Sequence, residues 1–175
     1  IVGLGHIGAA ISRRAFHGFN MNVVYHNRRE KMEVAQAFNA EYLSLDELLQ
    51  QSDFVVLAVD LNLDSKALIG QRELDLMQSH AILVNISRGS VIDEQALIQT
   101  LQAGKIFAAA LDVYDKEPLQ ESPLFELDNV VTLPHIGSAT AATRQKMANL
   151  AYNNLVDALE GGRPQYMVNP ACYKP

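Results

Sequence analysis

The chain contains a single cysteine, Cys172, near the end of a polar tail. No intramolecular disulfide can form, and a reducing compartment, the cytoplasm, is the expected setting. Positive charge is also in short supply: 14 Lys and Arg stand against 20 Asp and Glu, for a formal net charge of −6. No basic stripe runs along the chain to track a phosphate backbone, so nucleic acid is not an expected partner. No apolar run approaches the roughly 20 residues needed to cross a bilayer, and nothing at the start resembles a signal peptide, so no membrane association is expected either. Internal repeats and low-complexity segments are missing, and no metal site is expected. What remains is an ordinary globular composition, 49% apolar and 19% charged over 175 residues, enough for about one domain with a real core. The chain opens on Ile1-Val2-Gly3, without a methionine and inside what reads as a buried strand. It is therefore expected to be a fragment.

Apolar residues come in short bursts separated by stretches of helical spacing, the pattern of strands alternating with helices around a parallel sheet. Met21–His26, Asp53–Val59, Ala81–Ile86, Phe107–Val113 and Val130–Leu133 read as strands, with Ile1-Val2 as the end of a first one. Ile7–His17, Arg29–Phe38, Leu45–Gln50, Gln71–Met77 and Asp93–Gln102 read as helices with an apolar face. Ser44 with Glu47 three residues later forms a capping box for the third helix, and Gly104 stops the last. Ser138–Leu159 is one long amphipathic stretch with Met147, Leu150, Ala151, Asn154, Leu155 and Ala158 at helical spacing. Gly161-Gly162-Arg163-Pro164 breaks it, and the tail beyond, with Pro170 and Pro175, has no periodicity. The fold class is α/β, a doubly wound parallel sheet of the Rossmann type.

Gly3-Leu4-Gly5-His6-Ile7-Gly8 follows a strand and opens a helix, the context that turns a common glycine pattern into a dinucleotide signal. The first glycine permits the tight turn, the second lets the backbone approach a pyrophosphate, and the third lets helix and strand pack closely. The helix N-terminus receives the phosphate charge. A site that selects NAD usually carries an acid about 20 residues on, at the end of the second strand, to bind the ribose hydroxyls. Here that position falls on His26, followed by Asn27-Arg28-Arg29. The repulsion that excludes a 2′-phosphate is missing and two guanidinium forks are available to bind one, so NADPH is the expected cofactor, with NAD possible.

Three ionisable residues share a position. Arg88, Glu117 and His135 each follow a predicted strand, and in an open parallel sheet the ligand sits beyond the carboxyl ends of the strands. Their convergence with the glycine turn on one crevice points to an enzyme.

Four motifs in order then resemble the D-isomer-specific 2-hydroxyacid dehydrogenases: Gly3–Gly8, Val84-Asn85-Ile86-Ser87-Arg88-Gly89, Ala110-Leu111-Asp112-Val113-Tyr114-Asp115-Lys116-Glu117-Pro118, and Pro134-His135-Ile136-Gly137-Ser138-Ala139-Thr140. Phe16-His17-Gly18-Phe19-Asn20-Met21 and Tyr25–Arg29 further resemble the glyoxylate/hydroxypyruvate reductases of that family, which also reduce 2-ketogluconate. The resemblance implies that Arg88 polarises the keto oxygen and holds the substrate carboxylate, that His135 donates the proton to the forming alkoxide, and that Glu117 pairs with the imidazole and favours the imidazolium that reduction needs. It also implies that Val59, Ile86, Asp112 and Gly137 join the glycine turn and the His26–Arg29 segment around the cofactor. A small 2-keto acid is the implied partner, and a homodimer the implied assembly.

The resemblance implies a division at residues 137/138. Residues 1–137 would be the dinucleotide-binding domain, and 138–175 a return helix and tail belonging to a substrate lobe whose N-terminal part is absent here. One stretch departs from the family pattern: Asp60-Leu61-Asn62 stands where relatives usually carry Pro-Leu-Thr, with Ser65 where Thr is common. An Asp60 directed at a phosphorylated ribose would oppose NADP binding. Two other readings use the same fold: a phosphoglycerate-type NAD dehydrogenase, which His26 disfavours, and a nucleotide-sensing transcriptional corepressor.

Overall fold

In a computed structural model of the chain, residues 1–173 are described; Pro175, the last breaker of the tail, lies outside the described residues. The chain divides into two compact units, Ile1–Pro134 and His135–Pro175.

The first unit holds six parallel strands in two ladders. The longer runs in the order β3 (Phe54–Leu57), β4 (Ile82–Asn85), β5 (Ala108–Leu111), β6 (Val130–Thr132), and the shorter pairs β1 (Val24–Tyr25) with β2 (Glu41–Tyr42). One residue joins them. Val2 bridges in parallel to His26 on one side and to Leu57 on the other. Its amide donates to Val56 O at 2.9 Å and its carbonyl accepts from Ala58 N at 2.8 Å, while His26 N reaches Ile1 O and Gly3 N reaches His26 O, both at 2.9 Å. The combined order places the first segment between the second strand and the fourth, the arrangement of a doubly wound nucleotide-binding sheet with its switch point at Val2.

The two faces of the longer ladder are covered unequally. Val55, Leu57, Leu83, Ala109 and Leu111 point to one side and are buried with Leu48, Leu49, Leu74, Leu97 and Leu101 from α3 (Leu45–Gln51), α4 (Gln71–Leu76) and α5 (Glu94–Gln102). On the other side Phe54 and Val131 remain 48% and 58% exposed. A second cluster of Ile1, Leu4, Val23, Tyr25, Ala35 and Phe38 takes partly buried Ala9, Ile11 and Ala15 from α1 (His6–Phe19).

Most elements fall where hydrophobic spacing predicts them, and the capping box at α3 is present: Ser44 Oγ accepts from Glu47 N, and Glu47 Oε2 accepts from Ser44 N. Gly104, at φ +63°, follows the end of α5. Three elements differ, the first being the strand β2 (Glu41–Tyr42), which hydrophobic spacing does not predict. Strand β1 is shorter than Met21–His26 because Met21 N donates to Ala15 O across a left-handed Asn20, which makes Met21 part of the α1 C-cap. The helix expected from Arg29 starts only at α2 (Met32–Ala35) and ends in a 3₁₀ turn at Gln36–Phe38. Lys31 N is held by the Tyr25 hydroxyl at 3.0 Å and its ψ of 55° is not helical. Arg28 and Arg29 are therefore loop residues.

The second unit is built on α6 (Ala141–Leu159), capped by Thr140, whose side chain accepts from Thr143 N. Its apolar stripe is present at the predicted spacing but stays open to solvent: Met147, Leu150 and Leu155 are 55%, 45% and 58% exposed.

The unequal faces set an expected outcome in urea unfolding. Leu83→Ala, on the closed face, costs about 2–5 kcal/mol through lost burial and a cavity, whereas Val131→Ala on the open face stays within about 0.5 kcal/mol. Equal costs at the two positions would contradict the packing described.

Candidate nucleotide-binding and catalytic site

At the switch point the chain leaves Val2 and turns through three glycines that serve different ends. Gly3 has φ +100°, and a Cβ there would lie 2.5 Å from Ala58 O. Gly8 is buried, and its Cβ would lie 2.1 Å from Gly3 O, so helix α1 and the turn meet without room for a methyl group. Gly5 is the contrast: a Cβ would meet nothing within 4 Å. The fold itself makes no steric demand for glycine at that position, but a ligand backbone lying against the turn would. Gly5 is also the N-cap of the 14-residue α1 and supplies no side-chain cap, so the first-turn amides are left to an anion or to water. His6 and Ile7 sit exposed on that first turn. These features fit a dinucleotide pyrophosphate.

A cleft of about 640 Å³ opens beside this turn, lined by Gly3 and Gly5, by His26–Arg29, by Lys31, and on the loop after β3 by Ala58, Val59, Asp60, Asn62, Asp64 and Ser65. His26 does not present its whole ring to the cleft. Its Nδ1–H donates to Leu43 O at 2.8 Å, and the ring stacks on Tyr42 with centroids 6.1 Å apart. Asn27 is a brace: its Oδ1 accepts from Leu4 N at 2.6 Å, and its carbonyl accepts from the Tyr42 hydroxyl at 3.0 Å. Arg28 and Arg29 are exposed at the mouth, and Arg28 Nη1 lies 3.2 Å from Asp64 Oδ2. Val59 is half-buried on the opposite wall.

The departing loop has a defined course. Ser65 Oγ donates to Asp60 O at 2.6 Å and accepts from Asn62 N at 2.8 Å, while Asn62 Oδ1 accepts from the amides of Asp64 and Ser65 at 2.9 and 3.2 Å. Asn62 and Ser65 thus build a reciprocal side-chain turn.

A second group forms beyond β4 and β5. Asn85, 1% exposed at the end of β4, shapes the loop that carries Arg88. Its Oδ1 accepts from Ser87 N and Oγ at 3.0 and 2.7 Å, and its Nδ2 donates to Arg88 O at 3.0 Å. Arg88 is exposed and spends one N–H on Ser87 O at 2.6 Å. Gly89 touches the neighbouring loop so closely that a Cβ would sit 1.8 Å from Tyr114 C and 2.1 Å from Asp115 N. Ser90 Oγ donates to Asp115 Oδ1 at 2.5 Å across the same contact. Glu117 Oε1 accepts from Tyr114 N at 3.0 Å, so the carboxylate is tied back to its own loop. The Tyr114 hydroxyl donates toward Leu133 O at 2.9 Å and Leu111 O at 3.1 Å, joining the ends of β5 and β6. Burial, opposed by the hydrogen bond to Leu133, raises its pKa above the ordinary phenol value and keeps it a donor.

The predicted residues therefore separate. Gly3, Gly5, His26, Asn27, Arg28, Arg29 and Val59 share the cleft, with Gly8 buried at the turn. Arg88 and Glu117 lie on two interlocked loops, with Ile86 half-buried and Asp112 buried at the strand ends. His135 and Gly137 belong to the second unit, where His135 has φ +54°, a left-handed conformation uncommon for a residue with a side chain. Sequence reasoning assigned no role to Asn85, Gly89 or Tyr114, although all three stand inside the quoted motifs, and it did not single out Lys31 or Asp64.

Comparison with known proteins agrees with this fold. The family model for the D-isomer specific 2-hydroxyacid dehydrogenase, NAD binding domain, matches residues 1–137. A glyoxylate/hydroxypyruvate reductase B of Klebsiella pneumoniae (strain 342) is 52% identical over 171 residues, covering 97% of this chain and 53% of that protein. Among solved structures, a glyoxylate reductase from Paecilomyes thermophila superposes with a TM-score of 0.87 at 41% identity, covering 95% of this chain and 50% of the other. An NADPH-dependent glyoxylate/hydroxypyruvate reductase from Sinorhizobium meliloti, in complex with NADP and malonate, superposes with a TM-score of 0.90 at 30% identity, covering 99% and 53%. The chain spans about half the length of the curated relatives it matches.

The glycines give a two-sided expectation. Gly8→Ala, forced against Gly3 O, destabilises the fold by about 1–3 kcal/mol. Gly5→Ala leaves stability within about 0.5 kcal/mol but weakens dinucleotide binding at least about tenfold, or 1.4 kcal/mol. Denaturant midpoints and nucleotide titration read the two effects separately, and unchanged binding in Gly5→Ala would argue against a ligand at the turn.

Proposed function

From the premise that this chain belongs to the D-isomer-specific 2-hydroxyacid dehydrogenase family, we propose that it is the cofactor-binding portion of a reductase. The reductase converts glyoxylate, hydroxypyruvate and 2-ketogluconate to D-2-hydroxy acids, with NADPH preferred and NADH accepted. We place the whole enzyme in the cytoplasm as a homodimer. Residues 1–137 form the dinucleotide-binding domain, and 138–175 the return helix and tail of the substrate lobe.

The observation that carries the cofactor choice is the mouth of the cleft. The second strand ends in His26 where an NAD-selecting site carries an acid, and Arg28 and Arg29 follow on a loop that lines the same space. A 2′-phosphate brings a charge of about −1.5 to −2 to that mouth, and guanidinium forks bind such oxygens in pairs. Gly3, Gly5, the first turn of α1, Asn27 and Val59 would hold the rest of the nucleotide, with Ile86, Asp112 and Gly137 toward the nicotinamide.

When bound, the reduced nicotinamide supplies the hydride, and charge and proton handling fall to the chain. Arg88 binds the substrate carboxylate and polarises the keto oxygen, so that the negative charge developing on that oxygen meets a fixed cation. His135 delivers the proton that completes the alcohol, and Glu117 orients the imidazole. Two features support this assignment. The Arg88 loop is held by a buried Asn85 and pressed against the Tyr114–Glu117 loop, which limits its freedom. The positive φ of His135 is a local strain of the kind that collects at functional positions.

Two experiments on the full-length protein test the proposal. Replacing Arg28 and Arg29 with Ala should raise the Michaelis constant for NADPH at least about tenfold while leaving that for NADH nearly unchanged. A wild type that prefers NADH by tenfold or more, about 1.4 kcal/mol, would overturn the cofactor choice. His135→Gln should lower kcat for hydroxypyruvate reduction by about 10²–10⁴-fold while leaving the dissociation constant for NADPH unchanged. Loss of both together, or of neither, would remove His135 from the proton-transfer role.

A further inference from the structure

The acid missing from the end of the second strand has a counterpart on the other wall of the cleft. Asp64 lies on the loop after β3, lines the cleft mouth with Arg28, Arg29 and Lys31, and pairs through Oδ2 with Arg28 Nη1 at 3.2 Å. Its backbone position is fixed locally, since its own amide is bound by Asn62 Oδ1 at 2.9 Å and the turn is closed by Ser65. The sequence placed suspicion on Asp60, which also lines the cleft, but Asp64 is the one whose carboxylate meets the guanidinium.

We infer that Asp64 is a specificity-determining residue that competes with a ribose 2′-phosphate for Arg28 and so tempers the preference for phosphorylated cofactor. This rests on the assignment of Arg28 and Arg29 to the 2′-phosphate. The formal charges lining the mouth are three cations, Arg28, Arg29 and Lys31, and two carboxylates, Asp60 and Asp64. A nucleotide with a 2′-phosphate must take Arg28 from Asp64 and then lie beside the displaced carboxylate, two anions at one cation. A nucleotide with a free 2′-hydroxyl leaves the pair intact, and the Asp64 carboxylate can accept a hydrogen bond from the hydroxyl as an acid on the second strand would. The pair is weak enough to be displaced: the two side chains are 77% and 71% exposed, and exposed ion pairs contribute little. The expected effect is therefore a few-fold shift in discrimination and not its abolition. The outcome is an enzyme that uses both cofactors, with a charge on one loop setting the balance.

Adenosine 2′,5′-bisphosphate and adenosine 5′-monophosphate isolate this interaction from catalysis. Their dissociation constants are measured by calorimetry on the full-length protein, for the wild type and for Asp64→Asn, Arg28→Ala and the double variant. Asp64→Asn should tighten the bisphosphate about two- to fivefold and change the monophosphate less than twofold. Arg28→Ala should weaken the bisphosphate and cancel the gain from Asp64→Asn. Asp64 is exposed and its turn is held by Asn62 and Ser65, so the variant should fold; Asp64→Ala serves as a second test if the Asn side chain makes a new contact. If Arg28→Ala weakens the bisphosphate but neither Asp64 variant tightens it, the inference about Asp64 is overturned and the arginine assignment stands. If Arg28→Ala leaves the bisphosphate unchanged, both fail together. Equal tightening of the two nucleotides would also overturn it, because the effect would then be on the cleft at large.

Discussion

The architecture of the nucleotide site depends on the double engagement of one residue. Val2 bridges the two ladders, bound to the β3 edge through Val56 and Ala58 and flanked on the other side by the Ile1–His26 and Gly3–His26 bonds. Because the ladders meet there, the sheet reverses its winding direction at Val2, and the crevice of a doubly wound sheet opens where that reversal occurs. The glycine turn, the Arg28–Arg29 loop and the Asn62–Ser65 turn come from distant parts of the chain, yet each departs from a segment within one residue pairing of Val2. The turn passes so close to Ala58 that a Cβ at Gly3, which has a positive φ, would meet the Ala58 carbonyl.

Much of this was legible in the sequence. Parallel strands announce themselves as apolar bursts because both faces of such a sheet are normally covered, and caps such as Ser44 with Glu47 act over three residues, a range that a linear reading covers. Even the three glycines had their roles assigned by spacing, although only the structure shows that Gly3 and Gly8 are required by the fold and Gly5 is not. Local events that cut elements short were harder. Nothing in the composition of Met21–His26 reveals that Met21 is taken by the end of α1, or that the Tyr25 hydroxyl holds back the start of α2. Propensity describes what a segment prefers alone, and here bonds from neighbouring segments prevail.

The site was less legible where it depends on pairs far apart in the chain. Asp64 is unremarked as a single residue, since a charged residue in a loop is usually just solvated, and although Arg28 stands out after His26, its meeting with Asp64 is a property of the sheet order. Asn85 has the same character. Its burial makes its three hydrogen bonds a structural requirement, but as a letter in the sequence it is one polar residue at the end of an apolar run. Arg88, Glu117 and His135 could be proposed from the sequence because chemistry narrows the residue types that can do that work and each follows a predicted strand.

The contact at Gly89 bears on how perturbations to this protein combine. With no space between Gly89 and the Tyr114–Asp115 peptide, and with Ser90 bonded to Asp115, the loops after β4 and β5 cannot be displaced independently. They behave mechanically as one body carrying a guanidinium at one end and a carboxylate at the other. A substitution that pushes on either loop is transmitted to both groups, so the free-energy effects of separate changes at Arg88 and Glu117 will not add. Single-residue contributions extracted from such variants therefore describe the block as a whole, and only a double-mutant cycle distinguishes the two side chains from the rigid unit that carries them.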